Sequence, residues 1–215
     1  MFQLFLKGGP IMWPLLITSI TAFSVVVERL IFIVREKRRR QPEVVESLLA
    51  SVEKDDLAAA AELGRSSGDF VARTLGYALE HREKSLSNAL LRAAGQELKR
   101  FNRGLAALDT VITLAPLLGL LGTVTGMIHA FGLLGASELG APGAITGGIA
   151  EALIATAFGL GIAITALLPF NYLNARLEEA RREIEDAASH LELLLTKSTP
   201  SQTATRNDRT AVKAA

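Results

Sequence analysis

The 215-residue chain contains no cysteine. That absence excludes a disulfide framework, thiolate metal sites and a cysteine nucleophile together. Histidine is almost as scarce, and His81, His129 and His190 are too scattered to form a ligand cluster. Aromatic residues make up only 6% of the chain although 49% is hydrophobic. A soluble core would be expected to use more rings, so the apolar content points to a membrane. With Lys+Arg 23 against Asp+Glu 22, the net charge is +1, which offers nothing to a polyanion and argues against nucleic acid. The chain also lacks a G-x-x-x-x-G-K-[ST] loop, an H-E-x-x-H helix and a G-x-S-x-G elbow. Asp109 stands without the second membrane aspartate that an aspartyl protease needs. An enzyme is disfavoured, and no metal or cofactor is expected.

What the sequence does contain is three long apolar runs. No charge occurs from Gly8 to Val27, and after Glu28 and Arg29 the run resumes through Val34. A second run extends from Thr110 to Ser137, and a third from Leu139 to Asn174 carries a single charge, Glu151. About 20 apolar residues cross the hydrocarbon, so each run suffices. The first has no basic leader and no A-x-A site, which argues against a cleaved signal. These features predict an all-α integral membrane protein with transmembrane helices at 11–34, 106–134 and 146–173. An N-terminal segment (1–10) and a loop (135–145) lie on the other side from the basic residues, the periplasmic side if the membrane is a bacterial inner one.

Basic residues set the orientation. Arg35, Lys37, Arg38, Arg39 and Arg40 follow the first span, Lys99, Arg100 and Arg103 precede the second, and Arg176, Arg181 and Arg182 follow the third. The other side has only Lys7. The positive-inside rule therefore places the N-terminus outside, with the 35–105 region and the C-terminal tail inside. The five residues from Arg35 to Arg40 would form a basic collar touching membrane lipids.

The inner region reads as helical. Pro42 to Leu63 keeps helical spacing, and Ser66-Ser67-Gly68-Asp69 reads as a turn and N-cap. From about Ser85 an apolar stripe runs on without a Gly-Pro break, predicting one helix continuing into the second span. The third span is expected to continue as a cytoplasmic helix over 174–197. The tail at 198–215 has little apolar content and is expected to be disordered.

Inside the membrane, small residues mark close helix contacts. Gly148, Ala152, Ala155, Gly159, Ala163 and Ala166 form one stripe, and Ala115, Gly119, Gly122, Gly126 and Ala130 form another. Packing within one subunit and packing between subunits both fit. Glu151 is the sharper signal, because a charge at membrane depth costs about 2.5 kcal/mol or more unless it meets water or a partner. It reads either as a titratable carboxyl facing a bundle interior or as an interfacial residue at the outer boundary. Thr113, Thr123, Thr125, Thr156 and Thr165 offer polar lining, although a membrane threonine commonly bonds its own backbone. Glu28 and Arg29 read as a local pair at the inner boundary.

Two ordered stretches carry a family resemblance. Leu108-Asp109-Thr110-Val111-Ile112 with Ala115-Pro116-Leu117-Leu118-Gly119-Leu120-Leu121-Gly122-Thr123-Val124, then Gly126-Met127-Ile128, resembles the second-helix motif of the MotA/TolQ/ExbB proton-channel family. Ile149-Ala150-Glu151-Ala152-Leu153-Ile154-Ala155-Thr156-Ala157, then Gly159-Leu160, resembles its third-helix motif, and the start Lys7-Gly8-Gly9-Pro10-Ile11-Met12-Trp13-Pro14 is similar to ExbB-type openings. The resemblance implies a homo-oligomeric, pentameric ring around a dimer of single-span ExbD- or TolR-like helices. Such a ring passes protons and drives a TonB- or TolA-like transducer from the inner membrane of a Gram-negative bacterium. It further implies that Glu151, Thr123 and Thr156 line the proton path, while the essential aspartate belongs to the partner. Thr165 stands where relatives often place Pro, and Thr125 where many carry Trp. MotA fits less well, since flagellar stators are longer and lack this glutamate.

The expected function is thus an ExbB-type subunit for TonB-dependent uptake. The alternatives are a TolQ-type subunit of the Tol-Pal system and a non-conducting oligomeric scaffold. An unpaired carboxyl at Glu151 has no purpose in a pure scaffold.

Overall fold

The computed structural model describes the backbone of residues 2–135 and 142–211, with side chains for 5–132 and 146–197. The expected outer loop at 135–145 and the expected disordered tail at 198–215 fall wholly or partly outside that description. Among the described residues the chain forms eight α-helices and no strand: α1 (Phe2–Lys7), α2 (Met12–Arg39), α3 (Pro42–Glu53), α4 (Leu57–Ser66), α5 (Phe70–Glu80), α6 (Arg82–Asn102), α7 (Leu105–Gly135) and α8 (Pro142–Ala211). Three of them, α2, α7 and α8, are long and apolar enough to cross a membrane. The all-helical, three-span class read from the sequence is the one observed.

Two compact units divide the chain, Met1–Ile31 with Arg103–Asn174 and Phe32–Asn102 with Ala175–Ala215. In the first, α7 and α8 meet along their small residues. A β-carbon added to Gly126 would lie 3.0 Å from Ala152 Cβ, and one added to Gly159 would lie 2.5 Å from the Ala115 carbonyl oxygen. Gly122 faces Ala155, and Gly148 faces Ala130. Backbones this close gain dispersion that bulkier side chains would forbid. The stripes therefore serve packing within the chain. Met12 and Leu15 of α2 complete this core against Ala115. Trp13, Ile17, Phe23, Leu117, Ile128 and Leu168 point outward and exposed, a surface suited to hydrocarbon.

The second unit gathers α3 to α6 and the later turns of α8 around Leu48, Val52, Phe70, Leu75, Leu79 and Leu191. One reading is refined and one expectation corrected here. The helical spacing over 42–63, which by itself marks no break, is divided between two helices, because Asp55 takes a left-handed φ of 63° and Asp56 caps α4 by accepting the Ala59 N–H. Short acidic side chains tolerate that conformation and satisfy a helix start. The continuous helix expected from Ser85 into the second span is also interrupted, at Gly104 (φ 84°), between α6 and α7. Arg29 and Val25 of α2 leave no comfortable room for a β-carbon there. Asp69 does cap α5, accepting the N–H groups of Val71 (2.8 Å) and Ala72 (3.2 Å).

Candidate functional site

Glu151 sits in the early turns of α8, half-buried, one residue before the small-residue seam at Ala152. Its neighbour is the turn between α1 and α2. Gly9 adopts φ 72°, and a β-carbon there would fall 2.6 Å from the Glu151 carboxyl carbon and overlap Oε1. Gly8 is equally tight, since its β-carbon would lie 2.6 Å from Met12 Cγ and 3.1 Å from Ile154 Cγ2. The sequence reading missed this juxtaposition. Its only trace was the paired glycine before Pro10, which marks a turn but not what the turn touches.

Thr156 belongs to another flank of α8. Five residues beyond Glu151 is about 140° round a helix. Its hydroxyl donates to the Gly119 carbonyl oxygen of α7 at 3.0 Å, and Gly119 has no side chain to prevent that approach. Thr123 is half-buried and donates locally to the Leu120 carbonyl oxygen at 2.6 Å. It lines an open groove with Val124, Met127, Ile128 and Phe131. The structure thus places Glu151 against the Gly9 turn and Thr156 against Gly119, on different flanks of α8. Thr113, Thr125 and Thr165 also donate to carbonyl oxygens of their own helices. Their hydroxyls are satisfied without a partner helix.

The pattern of the MotA/TolQ/ExbB proton channel family matches residues 64–186, spanning α5, α6, the α7–α8 seam and Glu151. The chain belongs to that family. The ExbB-like 1 protein of Synechocystis is 39% identical over 197 residues, covering 88% of this chain and 77% of that protein. The biopolymer transport protein ExbB of Neisseria gonorrhoeae is 39% identical over 100 residues, 46% of each chain. The Tol-Pal system protein TolQ of Haemophilus influenzae is 36% identical over 100 residues, covering 46% of this chain and 44% of that protein. Names of both the ExbB and the TolQ kind therefore occur among the relatives.

In this family member the basic run after the first apolar segment is not uniform. Arg35, Lys37, Arg38 and Arg39 are exposed on the last turns of α2. Arg40 departs from them. Its guanidinium pairs with Asp69 and, at 2.5 Å, with Glu183, and it stacks 4.8 Å from the centroid of Phe70. Asp69 is fully buried and also accepts the Gln41 N–H at 2.8 Å, so Arg40 shares one carboxyl oxygen with a backbone donor. Arg40 is an internal tie rather than a collar residue. Beside it lies a cavity of about 320 Å³ lined by Glu36, Arg40, Phe70, Phe101, Arg176 and Glu183, among others. Within α2, Glu28 and Arg29 pair at 2.7 Å, as read, with Arg29 buried and Glu28 exposed.

Proposed function

We propose that this chain is the ring-forming, proton-conducting subunit of an inner-membrane motor that couples the proton-motive force to a periplasmic transducer. Five copies would surround a dimer of single-span ExbD- or TolR-like helices, with the N-terminus periplasmic and the C-terminus cytoplasmic. The observation that carries this reading is Glu151, the single charged residue between Leu139 and Asn174, held on the membrane helix that a proton-channel family shares. Glu151 takes up and releases protons in the cavity that receives the partner's aspartate. The hydroxyls of Thr123 and Thr156 act more weakly, as polar groups on helices flanking that path. The ExbB-type, TonB-linked reading is supported by the ExbB-like relative that aligns over 88% of this chain at 39% identity, while the named ExbB and TolQ relatives each align over 46%, which keeps a TolQ-type role as the second reading.

The test is growth that depends on TonB or Tol energisation in a strain lacking its own gene. Glu151→Gln and Glu151→Ala should abolish growth while membrane insertion and assembly persist, because removing the charge makes α8 cheaper to bury. Complementing one pathway and not the other would assign the branch. Wild-type growth from Glu151→Ala at normal expression would refute the carboxyl's role.

A further inference from the structure

We infer that the Gly8-Gly9-Pro10 turn is a gate over Glu151, and that Gly9 is the residue that lets it close. The inference rests on the reading of Glu151 as the proton-accepting carboxyl. It adds the element that controls access from the outer side.

Three observations support it. Gly9 has a left-handed φ of 72°, and its α-carbon stands where any β-carbon would overlap the Glu151 carboxylate. Only glycine meets both demands, because other residues are strained at that φ and would add an atom in occupied space. Gly8 is buried and closes over Met12 and Ile154 in the same way, so two successive residues bring bare backbone onto α8 and α2. The turn is also fastened at both ends. The Gly8 N–H donates to the Phe5 carbonyl oxygen at 3.1 Å, and the Met12 N–H donates to the Gly9 carbonyl oxygen at 3.2 Å. Phe5 meets Trp13 edge to face, with centroids 5.6 Å apart, and Met12 is 1% exposed.

These contacts hold the turn against the carboxyl, and the fastening is light. Phe5 is only half-buried, Trp13 is exposed, and the glycine pair is a natural hinge. Closed, the turn separates Glu151 from the outer aqueous phase. Swung aside about Gly8 and Gly9, it leaves the carboxyl open to water and to a proton from outside. Gly9 is thus a positioning residue acting on the carboxyl, and Phe5 is its latch.

The experiment measures how fast Glu151 is modified by a carbodiimide, in the full-length chain in native membrane vesicles with its partner subunits present. Peptide-resolved mass spectrometry reads the rate, and Glu151→Gln provides the blank. Gly9→Ala should raise the rate several-fold by propping the turn open. Phe5→Ala, which leaves the glycines and the seam untouched, should raise it by less. If Gly9→Ala fails to assemble, the Phe5→Ala rate alone decides. Rates equal to wild type in the assembled variants would overturn the gate. That outcome is separable from failure of the proton-site reading, which shows as energised growth from Glu151→Gln whatever the labelling rate.

Discussion

Asp69 has no access to solvent, yet it faces the N-terminus of α5 with one oxygen and Arg40 and the Gln41 N–H with the other. Removing it takes from Arg40 one of its two carboxylate partners, Glu183 remaining, and leaves the Gln41 and α5 backbone donors unsatisfied. Asp69→Ala should therefore cost about 1–3 kcal/mol, the penalty for stranded buried donors and a lost cap. Asp69→Asn, which keeps an accepting oxygen for the cap, should cost less. Thermal unfolding of the detergent-purified protein reads the difference, and equal melting temperatures for the two variants would contradict the pairing role. The threonines divide in the same manner. Thr156 bonds across to α7, so Thr156→Ala should lower stability by about 0.6–1 kcal/mol, the usual worth of an interhelical bond in a membrane. Thr123 bonds only its own turn, so Thr123→Val should leave the melting temperature unchanged. A stability loss from Thr123→Val equal to that of Thr156→Ala would show that this division is wrong.

At the scale of elements, the α7–α8 seam is the most demanding contact. Gly126 lies against Ala152 and the Gly148 carbonyl, and Gly122 against Ala155. Gly126→Leu would insert four carbons into that space, and overpacking of this kind costs about 1–3 kcal/mol or more. Its first effect should be on the fold of each chain, so solubilised Gly126→Leu protein should melt earlier even where no oligomer forms. Unchanged melting of the isolated chain would return the stripe to a role between subunits. The helices of the second unit contain a second close crossing, where a β-carbon on Gly64 of α4 would lie 2.5 Å from Gly76 Cα of α5. The sequence made the three spans legible because a run of uncharged residues needs no knowledge of its partners. It made the small-residue stripes legible for the same reason, but not their neighbours. The break at Asp55 was hidden by apolar spacing that continues across it, although Asp56 before a run of alanines was an available capping signal. Gly104 was passed over because one glycine inside a helical pattern is often tolerated. The Gly64–Gly76 crossing and the approach of Gly9 to Glu151 join residues far apart in the chain, and no local pattern encodes them.

Across the whole molecule, the distribution of basic residues predicts the topology. The chain's lack of cysteine makes single-cysteine reporters unambiguous. An impermeant maleimide should label Lys7→Cys in intact spheroplasts and Ser47→Cys only after permeabilisation. The collar can then be tested without disturbing the fold, provided that Arg40 is left alone, since it is committed to Asp69 and Glu183. Arg35, Lys37, Arg38 and Arg39 are exposed and follow directly on the apolar run, within reach of anionic headgroups. Each such charge contributes about 1 kcal/mol of attraction, decaying over a Debye length of about 8 Å. Converting those four to Gln should sharply reduce the anionic lipid that co-purifies with the protein. Orientation should hold, because Lys99, Arg100, Arg103, Arg176, Arg181 and Arg182 still outnumber Lys7. The two cysteine reporters should keep their pattern in the four-fold variant, and its melting temperature should match wild type. Lipid retention equal to wild type would remove the collar's role. A reversed labelling pattern would show that these four residues, and not the later clusters, decide which way the chain inserts.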